Sequence, residues 1–219
     1  MKYSPSTQAA VELFFTSILW GFGFVAAIWA LEIFTPPELL FLRFIMAFIV
    51  GEVFTWIFKK NQITPHEVKE GLIAGFILGI VLLLQTWGLL YTTATKSGFI
   101  TSLYVVLIPL FLHFFWKQKT SPSTYINVAF ALLGMVILIS PDPQSVDLLF
   151  MNRGDLLTLL CAVFAAFHII YIDLKSKKIT NGFQFNNYQS LGAAIFCIPS
   201  LIQQGLSKGS VFNFKSYSI

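Results

Sequence analysis

Two full charges stand in a stretch that otherwise reads as lipid-facing hydrocarbon: Arg43 and Glu52 within ELLFLRFIMAFIVGEVFTWIF (residues 38–58). On a helix they lie about 180° apart around the axis and ~14 Å apart along it, so they do not pair with each other. Each needs a partner, a route to water or a function, because an ionisable group inside a membrane-spanning segment is costly. Arg43 lies ~9 Å below the nearer end of its run, where a guanidinium can hold a polar substrate or close a gate. The structural alternatives are snorkelling to the headgroups or an ion pair with Glu32 or Glu38. Glu52 lies near the other end and shares a face with Lys59, which reads as a solvated or loop-paired carboxylate.

Other polar groups in apolar runs extend the pattern. Gln85 lies at about the depth of Arg43, and an amide there must bond another helix or line water. Glu12, Thr16, Trp20, Gly23 and Ala27 fall on one helical face, as do Ser97, Thr101 and Tyr104. Small and polar groups on such faces mark helix contacts or a cavity rather than lipid. Trp20, Trp87 and Tyr104 could form an aromatic cage or simply pack. Gly71, Gly75 and Gly79 share a face as a double small-xxx-small motif, which reads as close helix packing. Pro109 should kink its helix. His113 and His168 stand in separate runs without a carboxylate at metal spacing and read as core histidines. No glycine-rich phosphate loop, serine–histidine constellation or His/Cys metal cluster appears. Neither an enzyme nor a bound cofactor or metal is expected, and any transport would run on gradients.

These residues need membrane-spanning helices to position them. Of 219 residues 56% are hydrophobic and 11% charged, with a mean hydropathy of +0.76. A soluble domain carries about 25% charged residues. The expected fold is an all-α integral membrane protein, a polytopic helix bundle with the lipid bilayer as its solvent. The net charge of +4 sits in short lysine clusters between apolar runs and is no nucleic-acid footprint. Cys161 and Cys197 both lie inside apolar runs, so no disulfide framework is implied.

Runs of about 20 apolar residues predict spans at 10–31, 37–58, 71–92, 96–116, 123–140, 154–174 and 183–203. Lys59, Lys60 and Lys69 fall in the second loop, Lys117 and Lys119 in the fourth, and Lys175, Lys177 and Lys178 in the sixth. Alternate loops hold only Lys96, and Arg153 beside Asp142, Asp147 and Asp155. The bias places the N-terminus and the even loops in the cytoplasm. A seven-helix receptor is the rival architecture, disfavoured by that orientation and by the lack of a lysine in the last span.

ELFFTSILWGFGF (12–24) and DLLTLLCAVFAAF (155–167) share a leading acid, small central residues and a terminal phenylalanine. Continuing the comparison sets Arg43 against Gln189. A period of five spans makes the second copy enter the membrane inverted, the plan of many secondary transporters. With LWGFGFVA, PPELLFLRFIMA, QTWGLLYTTATKSGFITSLYVVLIPLF and ALLGMVILI, the chain resembles the EamA-type drug/metabolite transporters. The resemblance implies two inverted five-helix repeats around a central cavity for small organic metabolites such as amino acids. Here it gives a first repeat over 1–145 and a second over 150–219. It implies a multi-pass protein of a bacterial inner (plasma) membrane. Candidates to bind or gate substrate are Arg43, Gln85, Trp20, Trp87, Thr101, Tyr104 and Gln189. The chain departs from the family at Gln118, where a glutamate is usual, and it stops after the seventh span. The expectation is a truncated carrier whose Asn186, Asn187, Gln189 and His168 need covering by a second copy of the chain or by the missing helices, or a fragment without function.

Overall fold

The computed structural model describes residues 5–58, 64–118, 121–139 and 152–208. Lys59, Lys60, Lys119, Asp142, Asp147 and the tail from 209 onward lie outside the described residues. The rest is helical: α1 (Pro5–Leu31), α2 (Pro36–Ile57), α3 (Pro65–Gly88), α4 (Ala94–Ser102), α5 (Tyr104–Trp116), α6 (Pro122–Ile139), α7 (Arg153–Ser176) and α8 (Gly182–Lys208). The segment from Ala94 to Trp116 (α4 with α5) crosses as one unit. Six segments among the described residues are thus long and apolar enough to span a bilayer. The fifth expected span falls on α6. The chain is an all-α, multi-pass membrane protein.

Helix starts follow a repeated local rule. Thr35, Thr64 and Asn152 are extended N-cap residues, each followed three positions later by Glu38, Glu67 or Asp155. In each case that acid takes the N-cap backbone N–H, at 2.7, 2.8 and 3.0 Å respectively. Thr64 and Asn152 return the bond to the backbone of the acid. This satisfies donors that lipid cannot. The box at Thr64, with Pro65 in the first turn, explains why α3 begins at Pro65 and not near 71.

The break in the fourth span falls at Leu103, upstream of the expected kink at Pro109, which α5 runs through. The proline ring crowds the carbonyl four residues back, that of Val105, so the strain is released at the preceding turn. There the Val106 N–H reaches the Leu103 carbonyl at 3.0 Å, a tighter three-residue step.

α3 is the central helix. At its Pro65 end Glu67 meets the start of α8, and Glu70 meets Tyr171 and Lys175 at the end of α7. At its Gly88 end Thr92 and Lys96 meet Asp155 at the start of α7. Thr35, at the start of α2, bonds Gln204 near the end of α8 at 3.1 Å, and Glu52 near the end of α2 bonds Asn187. α2 and α8 therefore run antiparallel.

The core joins four helices through small side chains. Leu40 and Phe44 of α2, Val81 to Leu83 of α3, Cys161 and Ala165 of α7, and Ala193, Ala194 and Cys197 of α8 form one buried cluster. Gly71, Gly75 and Gly79 all face α8. A Cβ on Gly71 would lie 2.9 Å from the Phe185 carbonyl oxygen, and one on Gly75 would lie 2.8 Å from the Gly192 Cα. α8 answers with Gly192 and Ala193, so the two backbones touch.

This contact yields a stability prediction. Gly75→Leu should lower the thermal unfolding midpoint of the detergent-purified protein, an overpacking cost of about 1–3 kcal/mol or more. Gly23→Ala, where a Cβ meets nothing within 4 Å, should leave it unchanged or slightly raised. Equal midpoints for Gly75→Leu and the parent protein would contradict the backbone contact.

Candidate functional site

An open cavity of about 910 Å³ lies between α1, α2, α3, the broken α4–α5 span, α7 and α8. Its walls are mainly apolar. The polar groups enter because the packing faces turn them there. On α2, Leu40 and Phe44 go into the core, and Arg43 next to Phe44 is carried to the cavity edge. Its guanidinium carbon lies 5.9 Å from the Phe44 ring centroid. The ion pairs formed among the described residues do not include Arg43. It is the one formally charged side chain on this wall, among the described residues.

Gln85 is buried on α3 and crosses to α4, donating from Nε2 to Thr101 Oγ1 at 3.0 Å. Its amide also lies 3.8 Å from Cys161 Sγ on α7. Trp20, Tyr104 and Gln189 complete the expected residues that line the same cavity. Trp87 does not join them and is exposed. Two positions along a helix is ~200° of rotation, so with Gln85 inward Trp87 must face outward. No three-aromatic cage forms.

His168 is the residue that sequence reasoning undervalued. It is buried on α7 and on the cavity wall, and its Nε2 lacks a hydrogen bond of good geometry, with the Gln189 side chain within its reach. Gln189 on α8 lies beside it, and its Oε1 is also unpartnered. Gln184 Oε1 is unpartnered too, away from this wall. The signal in the sequence was a polar residue among apolar neighbours, the same signal that marked Gln85. His113, by contrast, is exposed at the end of α5, 3.2 Å from the Gln118 carbonyl oxygen.

Two further charged residues find partners across the bundle. Glu52 accepts from Asn187 Nδ2 at 2.7 Å, so its partner comes from α8 and Asn187 is covered within the chain. Lys96 pairs with fully buried Asp155 at 2.6 Å, where Thr92 also donates. Both pairings join residues far apart in sequence, which spacing cannot reveal.

Residues 8–140 match the EamA-like transporter family. A protein of Archaeoglobus fulgidus described as an uncharacterized transporter is 30% identical over 197 residues. That alignment takes in 87% of this chain and 57% of the relative. An uncharacterized transporter of Buchnera aphidicola is 26% identical, over 95% of this chain and 69% of the relative. The uncharacterized transporter YcxC of Bacillus subtilis is 23% identical, over 94% and 66%. The chain thus spans a little over half to about two thirds of their lengths.

The Gln85–Thr101 bond is testable on stability. Thr101→Val removes the acceptor and should cost about 1–3 kcal/mol, because a buried amide donor is left with only the weak Cys161 sulfur. Thr101→Ser, which keeps the hydroxyl, should recover most of it, as read by unfolding midpoints in detergent.

Proposed function

Because the chain belongs to the EamA-like transporter family, we propose that it is a gradient-driven carrier of small organic metabolites, binding them in the cavity beside Arg43. The observation carrying this reading is the cavity itself. It is about 910 Å³, large enough for a metabolite, and Arg43, Gln85, His168 and Gln189 converge on it from α2, α3, α7 and α8. Small-molecule sites have this character, an apolar concavity with a few placed polar groups. Polar groups at mid-depth are also expensive in a bilayer unless they serve a purpose. Amino acids and related compounds are the first substrates to try.

The proposed architecture is a five-span repeat over 1–145 followed by helices of an inverted second repeat from 150. The antiparallel run of α2 and α8 supports it, as does the presence of Gln189 and Arg43 on one cavity. The proposed setting is a bacterial inner membrane with the N-terminus in the cytoplasm. The lysines at the Pro65 end of α3 and after α7 support that orientation. A reporter active only outside the cytoplasm should be silent when fused after residue 65, 119 or 178, and active after 147. Signal at all four positions would overturn the orientation.

Transport is read by reconstituting the protein into vesicles with labelled metabolites and an imposed gradient. Accumulation of an unmodified solute supports the carrier, and chemical conversion would overturn it. Arg43→Lys should reduce the rate by about tenfold or more, because lysine keeps the charge but loses the planar fork. Unchanged transport by Arg43→Lys would leave Arg43 only a snorkelling role.

A further inference from the structure

The charge balance of the cavity wall goes further than its shape. Arg43 places one positive charge there, and no Asp or Glu side chain of the described residues lines the cavity. A ligand ammonium would therefore be stripped of water with no carboxylate to receive it, while a ligand carboxylate would meet a guanidinium fork. The carboxylates near the bundle are engaged elsewhere. Asp155 is held by Lys96 and Thr92, and Glu52 by Asn187. Glu67 is held by Thr64, Thr180 and Asn181, and Glu70 by Tyr171 and Lys175.

The two orphaned atoms add a second requirement. His168 is 8% exposed and Gln189 7% exposed, so each is more than nine-tenths buried, and both stand on the cavity wall. His168 Nε2 and Gln189 Oε1 make no hydrogen bond of good geometry, although the two side chains stand within reach of each other. An amide oxygen accepts only, and a ring nitrogen carrying its proton donates. A hydroxyl is the neutral group that can meet both at once, donating to Gln189 and accepting from His168. The remaining wall supplies Trp20, Phe24, Phe44, Phe99 and Tyr104, surfaces suited to an aromatic or aliphatic body.

Building on the carrier reading above, we propose that the cavity selects hydroxylated organic monocarboxylates with an apolar body. Arg43 holds the carboxylate, and His168 with Gln189 holds the hydroxyl. Free amines are rejected, and zwitterionic amino acids of the same skeleton bind more weakly than the hydroxy acid.

Four compounds sharing one phenyl ring separate these requirements: 3-phenyllactate, 3-phenylpropanoate, phenylalanine and 2-phenylethylamine. Their binding to the purified full chain in detergent is measured by equilibrium dialysis of the labelled compounds. Phenyllactate should bind most tightly. Phenylpropanoate should be weaker by about tenfold, having lost the group that satisfies the two buried atoms. Phenylalanine should be weaker than phenyllactate by about tenfold or more, and phenylethylamine should not bind. Gln189→Leu should bring phenyllactate down to the level of phenylpropanoate, and Arg43→Gln should weaken both acids by at least about tenfold. If either variant fails to fold, the ranking on the unchanged protein decides alone. Amine or amino acid binding as tight as phenyllactate would overturn the proposed selectivity and leave the carrier reading standing. So would transport of some other solute in vesicles by a protein that binds none of the four. Absence of both binding and transport of every solute tried would overturn the carrier reading as well.

Discussion

The bundle depends on one close approach, that of α3 to α8 at Gly75 and Gly192. In hydrocarbon there is no hydrophobic drive between helices, so association rests on van der Waals contact and interhelical hydrogen bonds. Contact on that scale requires backbones to meet, and here a single Cβ would prevent it. With α8 held flat on α3, the start of α8 comes within reach of Glu67. That carboxylate is 1% exposed and accepts from Thr64 N and Oγ1, Thr180 N and Oγ1, and Asn181 N, at 2.6 to 2.9 Å. A buried carboxylate without such donors would cost several kcal/mol. With five it becomes a clamp between two helix starts.

The same device recurs at the opposite end. Asp155 caps its own helix through Asn152 and also takes bonds from Thr92 and Lys96 across the gap to α3 and α4. In each case a carboxylate that caps a helix also accepts from a neighbouring element: Glu67 through its free oxygen, Asp155 through its free oxygen from Thr92 and through its capping oxygen from Lys96. The economy matters in lipid, where helix starts must be satisfied internally. Most polar groups near the two ends of α3 are therefore mutually consumed, Gln184 Oε1 excepted. The cavity between them keeps two that are not, His168 Nε2 and Gln189 Oε1, alongside an arginine outside the ion pairs of the described residues. Unsatisfied groups gathered on one wall in a molecule that satisfies so many elsewhere are what a ligand site looks like before its ligand arrives.

How much of this could be read from the sequence follows from the range of each interaction. Spans were legible because hydropathy is local, and the observed Ala10–Leu31 and Ala94–Trp116 lie within a few residues of the predicted runs. The inward direction of Gln85 and Thr101 was legible because a polar group in an apolar run has few places to go, whereas Arg43 lies exposed at the cavity edge. Trp87 was misplaced by attending to type over angle, since its separation from Gln85 already puts the two on opposite faces. The partners of Glu52, Lys96 and Glu67 were not legible. Asn187, Asp155 and Thr180 are brought to them only by how α2, α3, α4, α7 and α8 pack. The satisfied or unsatisfied state of His168 was hidden for the same reason.

The location of the cavity follows from the stiffness of its walls. Between α3 and α8 there is no room, because glycine opposes glycine. Between α3 and α7 the small residues Cys161, Ala162, Ala165 and Ala166 likewise draw the helices together. Among the described residues, the large cavity opens where α1 comes in. Its apolar side chains from Val11 to Phe22 remain exposed to the surroundings, and a Cβ on Gly21 or Gly23 would touch nothing within 4 Å. The α4–α5 span on the same side is interrupted at Leu103, where a continuous helix would press straighter against its neighbours. One wall is thus a tightly packed slab of α2, α3, α7 and α8 carrying Arg43, Gln85, His168 and Gln189. The other is α1, which packs sparsely on its neighbours and supplies Thr16, Ser17 and Trp20, beside a broken helix anchored to α7 through Lys96 and Asp155. Recognition chemistry sits on the wall that cannot move without breaking its core, which is the arrangement that holds polar groups in fixed register.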